Sequence, residues 1–106
     1  MGDKMAQEQA LLQAVAGFYK VLGNESRLAI LHYMVMHPGP VYVSELVAQT
    51  GIAQPTVSKH LAILYQNHVV TRETSGNRVY YEIYDQHLKQ TLEATFTHLE
   101  HMDISN

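Results

Sequence analysis

Between Ser44 and Tyr84 the chain reads SELVAQTGIAQPTVSKHLAILYQNHVVTRETSGNRVYYEIY, and no other stretch constrains the fold as tightly. Ser44 is a good N-cap for a short helix ELVAQT, Gly51 stands where a C-cap belongs, and a second helix opens at QPTVSKHLAILYQN with Pro55 at its first helical position. Two helices joined by a tight glycine turn result. After His68 the period changes: VVTRET, the triplet SGN and RVYYEIY are two extended runs around a turn. A helix-turn-helix followed directly by a β-hairpin is the arrangement of a winged helix-turn-helix.

The flanking segments are helical. Residues 5–22 place Leu11, Leu12, Val15, Phe18, Tyr19 and Leu22 at helical spacing before Gly23. Asn24 then caps a second helix running to about Met36, whose stripe is Leu28, Leu31 and Val35, and HPGP ends it. Asp85 caps a last helix over about 86–102. The expected class is α+β, mainly α, in the order α-α-α-α-β-β-α: a single domain over 1–106 with the helix-turn-helix at about 44–67 and the wing at about 69–84. With 106 residues, 46% of them apolar, the core is small enough to gain from oligomerisation. The run LAILHYMVM is far shorter than the roughly 20 residues that span a bilayer, and the first 20 residues lack a signal-peptide layout, so a soluble, cytoplasmic, membrane-independent protein is expected. There is no cysteine, so any metal must be held by nitrogen and oxygen.

The net charge of −3 hides an uneven distribution. Residues 54–81 carry Lys59, Arg72 and Arg78 against Glu73 alone, whereas residues 82–106 carry five acids against Lys89. On the second helix of the motif, Val57, Leu61 and Leu64 share an inward face, leaving Ser58 and Lys59 pointing away and Gln54 and Thr56 at the exposed start. Such side chains read base edges or hold phosphates, and the hairpin adds Arg72 and Arg78 near its tip. Double-stranded DNA is the expected partner, contacted by Gln54, Thr56, Ser58, Lys59, Arg72 and Arg78.

Three of the seven histidines lie on the last helix. At 100° per residue His87, His98 and His101 fall within about a 60° sector, yet His87 is some 16 Å from His98 along the axis. One helix cannot bring them to one ion. If two copies pack antiparallel about a two-fold axis near Leu92 and Glu93, Asp85 and His87 of one copy come opposite His98 and His101 of the other, and four ligands meet twice per dimer. Three imidazoles and a carboxylate suit tetrahedral Zn²⁺, and also accept Co²⁺ or Ni²⁺. His32, His37 and His60 have no partner at ligand spacing, and the backbone carbonyl of His68 is a candidate acceptor for a ligand imidazole.

The run VLGNESRLAIL at 21–31, the segment VSELVAQTGIAQPTVSKHLAILYQNHVV at 43–70 and the wing SGNRVYYEI at 75–83 resemble the ArsR/SmtB family of bacterial metal-responsive repressors, over about 80 residues with the last helix included. The resemblance implies a homodimer through the first and last helices, with the 54–67 helix reading the major groove of a palindromic operator. It also implies a zinc sensor of the last-helix type, whose Asp-x-His, ten residues, His-x-x-His pattern is filled here by Asp85, His87, His98 and His101. Cysteine-based arsenite, cadmium or lead sites are not available to this chain. A repressor that binds DNA metal-free and leaves it on binding zinc is thus expected, not an enzyme, since four ligands at a dimer seam leave no open position for hydrolysis. The alternatives are a Co²⁺ or Ni²⁺ sensor, or a winged-helix protein-interaction module without metal sensing.

Overall fold

The computed structural model describes residues 2–102, so the expected 1–106 domain extends at both ends beyond the described residues. Its elements are α1 (Gly2–Leu22), α2 (Glu25–Met36), β1 (Val41–Tyr42), α3 (Val43–Thr50), α4 (Gln54–Gln66), β2 (Val70–Ser75), β3 (Arg78–Ile83) and α5 (Gln86–Glu100). The five helices and the hairpin stand where the sequence puts them, and the architecture is a winged helix-turn-helix.

β1 is an addition. The two residues after HPGP pair antiparallel with β3, Val41 with Tyr81 and Tyr42 with Tyr80, giving a three-stranded sheet in the order β1-β3-β2. A two-residue strand has too little length to show alternation, so only its partner reveals it. Forming it moves the start of α3 to Val43, so the N-cap is Tyr42, without a side-chain cap bond, and not Ser44. Pro55 is likewise the second residue of α4, which begins at Gln54. The wing turns through Gly76 and Asn77 alone, because Ser75 and Arg78 are already paired. A positive φ at Gly76 (64°) and not at Asn77 has the sign pattern of a type II′ hairpin turn.

The caps at Asn24, Gly51 and Asp85 form as the local chemistry requires. Asn24 Oδ1 accepts from the Arg27 amide at 3.0 Å, and Asp85 Oδ1 from the Leu88 amide at 2.8 Å. Gly51 takes φ 74° and donates its amide to the Val47 carbonyl, while the Thr50 hydroxyl donates to Leu46 O and accepts from the Ile52 amide.

The core joins Ile30, Leu31, Met34 and Val35 of α2, Leu46 of α3, Val57, Leu61 and Leu64 of α4, Val69 and Val70, Val41 and Leu92 of α5. The α2 stripe is wider than its sequence spacing indicates: Ile30 and Met34 are buried and Leu28 is only half-buried. The Tyr33 hydroxyl donates to the Glu45 carboxylate and ties α2 to α3. By contrast, α1 buries only Leu22, and Leu11, Leu12 and Tyr19 are 61%, 62% and 61% exposed. Among the described residues no helix is long and apolar enough to cross a membrane.

Candidate nucleic-acid interface and metal centre

Helix α4 is held by one face and offers the other. Val57, Leu61 and Leu64 are fully buried, which at roughly 1.5–3 kcal/mol for each large apolar side chain fixes the helix against α2 and α3. His60 adds a polar anchor on the same side. It is 8% exposed, and Arg27 Nη1 donates to its Nδ1 at 3.3 Å while Arg27 Nε donates to the Val21 carbonyl at 2.6 Å. Arginine has no acceptor, so the ring is neutral with its proton on Nε2. Burial first, then the charges of Arg27 and Lys59, lower its pKa below the ordinary histidine value. His60, read from the sequence as lacking a ligand partner, is therefore the internal brace of the helix.

On the outer side Gln54, Ser58 and Lys59 are exposed and Thr56 is half-buried, clustered at the N-terminal half of α4. The N-cap, Ala53, makes no side-chain cap bond, so the positive end of the helix dipole is open to an anion.

The hairpin presents its two arginines on opposite faces. Arg72 pairs with Tyr81 and shares the face of buried Val70, reaching the Tyr65 ring at the end of α4 with its guanidinium carbon 6.0 Å from the ring centroid. Arg78 shares the other face with Tyr80 and stacks on Tyr42, 3.7 Å from the ring centroid. The aromatic partners Tyr42 and Tyr65 carry no sequence signal of this role, because contacts between side chains 36 and 7 positions apart depend on the fold. Among the described residues the one contact at ion-pair distance is His87 Nδ1 to Asp85 Oδ1, 3.7 Å, so Lys59, Arg72 and Arg78 face solvent without a carboxylate partner.

On α5 the histidine face points away from the core. Leu92 is 3% exposed and packs inward; at 100° per residue, His87, His98 and His101 lie about 120–180° from it. All three are exposed, His87 and Asp85 having side-chain exposures of 87% and 43%. The two ends differ: Asp85 and His87 converge at the N-terminus, while His98 is in the last turn and His101 is the C-cap. Among the described residues no three ligand-type side chains gather within one chain. Three exposed imidazoles and a carboxylate whose Oδ1 alone serves the cap fit a borderline metal such as Zn²⁺, provided that a second chain supplies half of the set. Leu92, expected near the two-fold axis, is committed to its own core, so exposed Thr91 and Ala94 stand at that height on the histidine face.

The remaining histidines do other things. His68 has φ 59° in the turn from α4 to β2, its ring 5.8 Å from that of Tyr84, and it lines a cavity of about 390 Å³ with Asp85, His87 and Thr91. Among the described residues its carbonyl accepts no hydrogen bond from an imidazole of the same chain, so the expected contact is not formed within one protomer. His32 packs edge-on against Phe96 at 4.7 Å, which assigns Phe96 to the core side, and His37 stacks on Tyr33 at 4.1 Å.

A model of bacterial regulatory proteins of the arsR family matches residues 24–72. The HTH-type transcriptional regulator NmtR of Mycobacterium tuberculosis is 32% identical over 90 residues, 85% of this chain and 73% of that protein. The HTH-type transcriptional repressor SmtB of the same species (strain CDC 1551) is 37% identical over 78 residues, 74% of this chain; the chain spans just over half of that relative's length, 56%. Among solved structures, the homodimeric winged helix-turn-helix DNA-binding domain Mb0332 from Mycobacterium bovis superposes with a TM-score of 0.79 at 29% identity, covering 94% of each chain.

Proposed function

The chain belongs to the arsR family of bacterial regulatory proteins and is a DNA-binding transcriptional repressor of the ArsR/SmtB type, and from that premise we propose that it works as a zinc-responsive homodimer. In this reading the dimer holds operator DNA through Gln54, Thr56, Ser58 and Lys59 of α4 in the major groove and Arg72 and Arg78 of the wing on the backbone. It lets go when Asp85 and His87 of one α5 and His98 and His101 of the other hold Zn²⁺ in two symmetric sites.

The single observation that carries the zinc assignment is the placement of the donors. The three imidazoles are exposed on the side of α5 turned from the core and Asp85 is exposed at its N-cap, so two donors stand at each end of a helix too long for one ion to bridge. A second copy running antiparallel satisfies both ends at once. The dimer itself is supported by the bare apolar face of α1 and by the homodimeric M. bovis neighbour. Bound zinc supplies a fixed cross-link, and coupling to DNA follows only if that cross-link favours a dimer geometry in which the two α4 helices no longer match successive major grooves. A gene for zinc export is the natural target of such a repressor.

A gel-shift titration tests this. Wild type is expected to retard a duplex carrying its operator without metal and to release it as Zn²⁺ is added. His98→Ala is expected to bind the same duplex and to stay bound at the zinc concentration that frees wild type. Normal zinc-driven release by that variant would show the assigned ligands to be wrong. Co²⁺ and Ni²⁺ accept the same donors, so the coordination geometry of each bound metal, read by the Co²⁺ absorption spectrum, separates a tetrahedral sensor from an octahedral one.

A further inference from the structure

The stack of Arg78 on Tyr42 is set by strand register rather than by chance approach. Tyr42 lies directly opposite Tyr80 across the β1–β3 ladder, and Arg78, two residues before Tyr80, is on the same face and diagonal to Tyr42. The Tyr80 ring meets Tyr42 edge-on, 6.0 Å between centroids and 73° between planes, and so limits the orientations open to the Tyr42 ring. Tyr42 is also the N-cap residue of α3, yet its side chain makes no cap bond. The ring is free to serve the arginine.

From this geometry we infer that Tyr42 is a positioning residue for Arg78, holding its guanidinium at the edge of the wing in the pose that receives a duplex phosphate. The inference rests on Arg78 being a DNA contact, as proposed above. A guanidinium stacked by its face keeps its N–H donors in the plane, so the stack leaves the hydrogen-bonding edge free for a phosphate. Among the described residues no carboxylate lies within 4 Å of that edge. An arginine ordered before DNA arrives loses less rotamer freedom on binding, which is where the affinity comes from.

The test uses a generic duplex at low salt, because a phosphate contact is independent of sequence. Arg78→Ala is expected to weaken binding and to lower the salt slope by about 1 per chain. Tyr42→Leu is expected to weaken binding about two- to fivefold, the range of an exposed cation–π contact, with the slope kept since the charge remains. Tyr42→Phe should restore wild-type affinity, and in the Arg78→Ala background Tyr42→Leu should cost nothing more. In the wild-type protein without DNA, the Arg78 Nε–H resonance should be displaced by the Tyr42 ring current, so the stack is tested even if Tyr42→Leu fails to fold. An undisplaced resonance, or an equal cost of Tyr42→Leu with and without Arg78, overturns the positioning role alone. Unchanged affinity and slope in Arg78→Ala overturn the DNA contact, and the positioning role with it.

Discussion

His60 is the residue whose surroundings say most about how α4 is controlled. It must stay neutral to accept from Arg27, and burial together with the Arg27 and Lys59 charges lowers its pKa. As the pH falls below the ordinary value of about 6.5, the unfolded chain takes up a proton that the folded chain resists, so stability drops as pH decreases through that window. Urea midpoints are expected to fall between about pH 7.5 and pH 5.5. His60→Asn, which keeps an acceptor near the place of Nδ1 but cannot titrate, should flatten that fall; an equally steep dependence in the variant would place its origin elsewhere. Gly51 offers a cleaner case. A Cβ added there meets nothing within 4 Å, so Gly51→Ala is charged only with the left-handed φ of 74°. A loss of about 1–2 kcal/mol in denaturant unfolding is expected, and a much larger one would mean that the α3–α4 turn had rearranged.

At the level of elements, the helices were legible because each carries its own period and cap, whereas β1 and the true start of α3 depend on a partner strand about 40 residues away. The same division holds for the candidate site. The outward positions of α4 follow from the inward spacing of Val57, Leu61 and Leu64, and the histidine sector of α5 follows from helical geometry. That Arg72 and Arg78 occupy opposite faces of the wing needed the pairing of Ser75 with Arg78, which a turn read as three residues would have shifted. Helix α1 is the reverse case, where a clear apolar spacing is left uncovered among the described residues: Leu11, Leu12, Val15 and Tyr19 remain exposed. These side chains are the expected dimer seam. Leu11→Glu combined with Val15→Glu should convert the protein to a monomer in sedimentation equilibrium while leaving its helical circular dichroism nearly intact, since neither residue is buried in the chain. A dimer that survives both charges would move the interface off α1.

The whole molecule is too extended for a self-sufficient domain of its size. Its radius of gyration is 15.8 Å, against about 13 Å for a compact chain of 100 residues, and the excess is consistent with a first helix that packs on little within the chain. Dimerisation would cover that helix and bring α5 onto α5 in a single step, so in the proposed function the groups that hold the protein together and the donors offered to metal occupy one seam. In that proposal the acidic C-terminal quarter and the basic 54–81 segment serve different functions, cation binding and phosphate binding, although the summed charge of −3 hides both. The demand that each metal site draw ligands from both chains gives the strictest test. A chain carrying His87→Ala breaks one half of the ligand set, and a chain carrying His98→Ala and His101→Ala breaks the other, so neither homodimer should hold zinc tightly. Unfolded together and refolded, the mixture contains heterodimers with one intact site, built from His98 and His101 of the first chain and Asp85 and His87 of the second. Equilibrium dialysis should therefore recover tight zinc binding in the mixture at about one ion per heterodimer. If the mixture binds no more than its two components do separately, the ligands do not meet across the two-fold axis, and the histidine face of α5 is solvated surface.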